Sequence, residues 1–212
     1  SRSITHKIDA MKMLHDGVIG KIHMAKALCY KRRPSIGKKP LFDQAPAGID
    51  WDMFLGPAQI KKFSENRFAY NWHWFWDTGN GDIGNQCVHE MDIARWGLDV
   101  KWPKSVVSTG GKFLYDDDQE TPNQQLATFD YGGAQIVVEV RGLPSGADWP
   151  LQKRGANTVG NIFYGSEGLL AIDSNGYQIY LGDDLKLSQE GKPDAGIWDV
   201  KGHMANFLQA VK

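Results

Sequence analysis

Cysteine is scarce. The chain has two in 212 residues, Cys29 and Cys87, and neither sits in a C-x-x-C spacing, which excludes a disulfide scaffold and a cysteine-built zinc site. Both lie inside apolar patterns and are predicted to be buried thiols, from which a reducing, cytoplasmic compartment is expected. No run approaches the ~18–20 apolar residues that cross a bilayer, and no signal-peptide pattern opens the chain, so no membrane partner is expected. Net charge is nearly absent: 24 basic and 25 acidic residues leave -1. Without a positive field, no nucleic acid partner is expected either. The basic cluster Lys31-Arg32-Arg33 is local and reads as a solvated strand end. Also missing is a G-x-G-x-x-G between strand and helix, along with any βαβ alternation. This chain therefore carries no Rossmann domain.

A hydrophobic share of 42% with 23% charged residues describes a folded globular chain, and its length suits one domain over residues 1–212. The start at Ser1 and the stop inside a helical pattern at 203–211 predict a fragment of a longer protein. Ile4, Ile8, Met11 and Leu14 recur at helical spacing ahead of Asp16-Gly17. Residues 21–30 read as a long strand, 34–48 as an extended loop, and 50–57 as a short helical turn stopped by Gly-Pro. Strands are predicted at 103–113, 124–130, 134–141, 161–164, 169–172 and 177–181, most of them joined by hairpin-type turns. The fold class that follows is α+β, a large, open, mainly antiparallel β-sheet with helices on one face.

The most informative segment is 82–98, DIGNQCVHEMDIARWGL. On a helix, Ile83, Cys87, Met91, Ala94 and Leu98 form an apolar stripe, while Asn85, His89, Asp92 and Trp96 form a polar row on the opposite side. Histidine titrates near neutrality, and a carboxylate three residues on can fix its tautomer and raise its basicity, which suits reversible proton transfer at a hydroxyl. Periodicity alone equally describes an ordinary surface helix. The preceding Asn71-Trp72-His73-Trp74-Phe75-Trp76 and the glycine loop Gly79-Asn80-Gly81 add a second signal, because tryptophan rings can wall the apolar CH face of a sugar. His73 and His89 with Asp77 or Asp82 match no standard ligand spacing, so no metal is expected.

Four ordered pieces resemble the Gfo/Idh/MocA oxidoreductases. Residues 81–96 resemble that family's D-x-G-x-H-x-x-D helix, and Leu14-His15-Asp16-Gly17-Val18-Ile19-Gly20-Lys21-Ile22 its helix–turn–strand entry into the C-terminal domain. Asp50-Trp51-Asp52 with Leu55-Gly56-Pro57 resembles its D-W-D-x-x-L-G-P element, and Gly165-Ser166-Glu167-Gly168 its G-x-E-G turn. The resemblance implies an N-terminal Rossmann domain outside this chain that holds NAD or NADP and a catalytic lysine. It implies hydride transfer at a sugar, sugar acid or cyclitol hydroxyl, and a homo-oligomer built through the sheet. By the same resemblance His89 is the catalytic acid/base and Asp92 the acid that positions it. Asn85, Asp82, Trp72, His73 and Trp74 are the candidate substrate-binding residues. Asn85 stands where the family has aspartate and Cys87 where it has glycine. An amide can hold a hydroxyl but cannot take its proton, so Asn85 is expected to orient substrate. Two alternatives are an NAD-dependent glycosidase of the same family and a non-catalytic carbohydrate-binding or oligomerisation module. The isolated fragment is expected to be inactive.

Overall fold

The computed structural model describes residues 2–193 and 200–212. One eight-stranded sheet organises the chain: β1 (Ile22–Lys31), β2 (Ser105–Gly111), β3 (Gln124–Asp130), β4 (Gln135–Arg141), β5 (Asn157–Gly165), β6 (Gly168–Asp173), β7 (Gly176–Leu181) and β8 (Lys186–Gly191). Their spatial order is β2-β3-β4-β1-β5-β6-β7-β8. Every pairing is antiparallel except β1 with β4, which run parallel with Ala25 opposite Ile136 and Cys29 opposite Val140. The predicted open, mainly antiparallel α+β sheet is what forms.

β1 lies at the centre, and its sequence explains why its alternation is imperfect. Ala25, Ala27 and Cys29 face the helices, whereas Leu28 and Tyr30 belong to a second cluster on the other face with Leu151, Ile162 and Leu169. A strand covered on both sides reads as a continuous apolar run. On the helix side, α1 (Thr5–His15) and α4 (Cys87–Leu98) bury Met11, Leu14, Ile93 and Ala94 against Ile136, Val138, Val140, Phe163 and Leu170. Each large side chain fully removed from water stabilises the fold by ~1.5–3 kcal/mol.

Three sequence expectations are corrected. The helix over 82–98 is two pieces, α3 (Asp82–Asn85) and α4, joined at Gln86. Gly84, a poor helix former, precedes the join, and the two pieces answer to different anchors: α3 to a side chain at the end of β1, α4 to the sheet. The buried stripe of α4 is Cys87, Glu90, Ile93, Ala94 and Gly97, rotated from the predicted one, with Met91 and Leu98 only partly covered. Small residues decide this, since a Cβ on Gly97 would fall 2.3 Å from the Phe163 ring, so the helix seats on its smallest face. β8 was not foreseen because all but the last of its residues are exposed at the sheet edge, leaving no alternation to read. The remaining elements, α2 (Trp51–Leu55) and α5 (Val200–Val211), fall where the spacing puts them.

Candidate functional site

An aromatic turn builds the approach to the helix row. Residues Glu65–Arg67 and Ala69–Trp74 form two short 3-10 turns. The loop after them doubles back so tightly that a Cβ on Gly79 would lie 2.5 Å from the His73 carbonyl oxygen, and the Gly81 amide donates to that same oxygen at 2.9 Å with φ at +74°. Only glycine adopts that backbone without strain at such close approach. The chain then enters α3 with Asp82 pointing inward.

Asp82 is 3% exposed and forms a two-pronged ion pair with Arg33, whose Nε and Nη2 donate to its carboxylate at 2.8 and 2.7 Å. The guanidinium also lies 5.0 Å from the Trp74 ring centre and 5.7 Å from that of Tyr70, both cation–π distances. Asn85 completes the knot, its Nδ2 donating to Asp82 Oδ1 at 3.0 Å and to the Tyr70 hydroxyl at 3.2 Å. The basic cluster is therefore not a solvated strand end. Arg33 is paired with Asp82, Lys31 Nζ donates to Gln86 Oε1 at 2.9 Å, and Arg32 reaches the Tyr115 hydroxyl at 2.6 Å, because β1 ends directly against α3 and its loops.

His89 stands one turn beyond Asn85 on the exposed side of α4, and among the described residues nothing hydrogen-bonds its ring. Partial burial lowers its pKa below the ordinary histidine value, the Lys7 and Lys31 charges lower it further, and Asp92 opposes them. These influences favour the neutral imidazole, the form that accepts a proton. Asp92, expected to position it, instead accepts from Arg2 Nε and Nη2 at 2.9 and 2.8 Å, and this pairing holds its carboxyl below the usual range. Its influence on His89 is a through-space charge and not a hydrogen bond.

The tryptophans divide. Trp74 is 4% exposed and backs Arg33, so its face is not free to wall a sugar. Trp72 stacks on His73 at 3.7 Å and lines a cavity of about 280 Å³ with Phe54, Leu55, Pro57 and Thr78, none of them in the His89 row. His73 Nδ1 bonds the Tyr70 carbonyl, which only accepts, so that nitrogen carries a proton. Asp77, the other acid considered beside the histidines, pairs with Lys61 and Arg67.

Sequence reasoning missed Tyr70, Arg33 and Glu90. Glu90 is a carboxylate in the otherwise small or apolar stripe of α4, 7% exposed, reached by Gln86 Nε2 at 3.3 and 3.4 Å. Burial pushes its carboxyl up to about 7 against the pull of Gln86, Lys7 and Lys31. An acidic residue four after Gln86 and four before Ala94 was the available signal.

Residues 5–143 match the Gfo/Idh/MocA model described as an oxidoreductase family, C-terminal alpha/beta domain. No curated protein matches the chain. Among solved structures, levoglucosan dehydrogenase in complex with NADH and levoglucosan is 16% identical with a TM-score of 0.62, covering 99% of this chain and 55% of its own. The WlbA dehydrogenase from Bordetella pertussis, in complex with NADH and UDP-GlcNAcA, is 16% identical with a TM-score of 0.54, at 99% and 50% coverage. An oxidoreductase domain protein from Kribbella flavida is 16% identical with a TM-score of 0.58, at 93% and 48%. At these identities the likeness is one of fold, and the chain spans about half the length of each.

Proposed function

Because the chain belongs to the Gfo/Idh/MocA oxidoreductase family as its C-terminal domain, we propose that the parent protein transfers hydride between NAD or NADP and a hydroxyl of a sugar, sugar acid or cyclitol, with His89 as acid/base. The observation that carries this reading is the exposed His89 imidazole, without a hydrogen-bond partner among the described residues, one turn after an asparagine whose amide is fixed by a buried ion pair. Two of the structures similar in fold hold NADH together with levoglucosan or UDP-GlcNAcA, which supports a sugar-like substrate.

The residues present fit the substrate end of such a reaction and not a dinucleotide's pyrophosphate. α3 has only four residues after its glycine turn, and its first residue is the carboxylate of Asp82. NAD(P) is accordingly assigned to a part of the parent outside this chain, where it would take or return hydride at the carbinol carbon. Within the chain, His89 takes the hydroxyl proton as the carbonyl forms and returns it in reverse. Asn85 holds a hydroxyl without competing for that proton, and Asp92 biases the imidazole by its charge alone. We read the parent as cytoplasmic from its two buried free thiols; among the described residues, no helix is long and apolar enough to cross a membrane. It is further read as a homo-oligomer packed through the open sheet face, where Val107, Leu126 and Leu187 are exposed.

The test follows the cofactor. With the full-length protein and an oxidisable sugar, free NADH should accumulate in step with product. A glycosidase that oxidises and re-reduces its substrate in one turnover would release aglycone without net NADH. A binding or oligomerisation module, the reading favoured by Asn85 in place of aspartate, would give neither.

A further inference from the structure

We propose that Tyr70 and Asn85 form a donor–acceptor grip for one neutral hydroxyl of the substrate, with the buried Arg33–Asp82 pair setting its polarity; this rests on the helix row being the substrate site. A carboxylate only accepts hydrogen bonds, so the Asn85 amide must turn its NH₂ toward Asp82. One amide proton goes to Asp82 Oδ1 and the other to the Tyr70 hydroxyl oxygen. Both donors are consumed, and Oδ1 of Asn85 has no partner among the described residues. Flipping the amide would set that oxygen against the carboxylate and forfeit the bond to Asp82.

Tyr70 carries the complementary half. Its oxygen accepts from Asn85, so its own proton points away, and no described residue accepts it. The residue is 51% exposed, with the Arg33 guanidinium held near its ring. The surface beside His89 therefore shows an acceptor, Asn85 Oδ1, next to a donor, the Tyr70 O–H. A sugar or cyclitol hydroxyl is both donor and acceptor and satisfies the pair. A carboxylate only accepts, and phosphate is an anion whose oxygens are mostly acceptors; the amide oxygen repels either one. An asparagine here keeps an acceptor and drops the negative charge, which tunes this subsite to a neutral hydroxyl.

The experiment is a side-chain NMR titration of isotopically labelled chain with myo-inositol and D-glucose, against acetate and inorganic phosphate. The polyols should move the Asn85 side-chain amide and the Tyr70 ring resonances, while the anions leave them in place. Tyr70→Phe should weaken polyol binding roughly three- to tenfold, the loss of one neutral hydrogen bond. Asn85→Leu, which removes the acceptor, should abolish the Tyr70 ring response, and Asn85→Asp, which sets a second carboxylate against Asp82 where the amide donated, should weaken it. Anions moving these signals as strongly as polyols, polyol affinity unchanged in both Tyr70→Phe and Asn85→Leu, or no response to either class of probe would each overturn the proposal. The acid/base reading fails separately: intact turnover in His89→Ala of the full-length protein removes His89 from catalysis, whatever the polyol shifts show.

Discussion

Replacing Asp82 by alanine strands a cation. Arg33 keeps a side chain only 16% exposed, and Asp82 is the only acid paired with it among the described residues, through two bonds of 2.8 and 2.7 Å. Breaking a buried pair from one side costs ~3–5 kcal/mol because the remaining charge is left desolvated. The low end applies, about 3 kcal/mol, since Tyr70 and Trp74 still face the guanidinium. Urea unfolding should show this as a fall in midpoint with the slope unchanged. Adding Arg33→Met should recover part of the loss, because the stranded charge is then gone. The exposed Arg2–Asp92 pair is the control: Asp92→Ala should cost under about 1 kcal/mol. If Asp82→Ala costs no more than Asp92→Ala, or Arg33→Met adds its full separate cost, the pair does not organise the site.

Three further expectations concern α4. Gly97→Ala pushes a methyl group into the Phe163 ring and should destabilise the chain by ~1–3 kcal/mol in a thermal melt. Glu90 has a folded-state pKa raised to about 7 by burial, so its contribution to stability is present below the ordinary glutamate pKa of about 4.3 and is lost as pH rises through 7. The loss approaches about 3 kcal/mol, and Glu90→Gln should flatten the stability–pH curve over that window. His89, with its pKa lowered by burial and by Lys7 and Lys31, should titrate below the ordinary value of about 6.5 by NMR, and Lys31→Met should raise its midpoint.

The sheet was legible because its strands carry their own signals. β3 and β4 flank a Tyr-Gly-Gly turn, and β5 to β7 are cut by glycine turns that fix the register. Long-range pairing left less trace. Nothing local says that β1 would run parallel to β4, or that β8 would add at an edge with no buried face. In the candidate site, His89 and Asp92 could be placed on one helix from their spacing, whereas Asn85 sits in the separate α3. The knot beneath them could not be read from spacing, because Arg33 and Asp82 meet across 49 residues and Tyr70 reaches Asn85 from a 3-10 turn without periodicity. Asp92 looked like a partner for His89 by spacing, yet a closer guanidinium captured it.

The most direct test of the account is His89→Ala in the full-length protein, with hydride transfer to NAD(P) followed on a polyol that the wild type oxidises. Loss of the acid/base should lower kcat by ~10²–10⁴-fold with the Asn85 and Tyr70 response to polyols preserved. Turnover equal to wild type would contradict it.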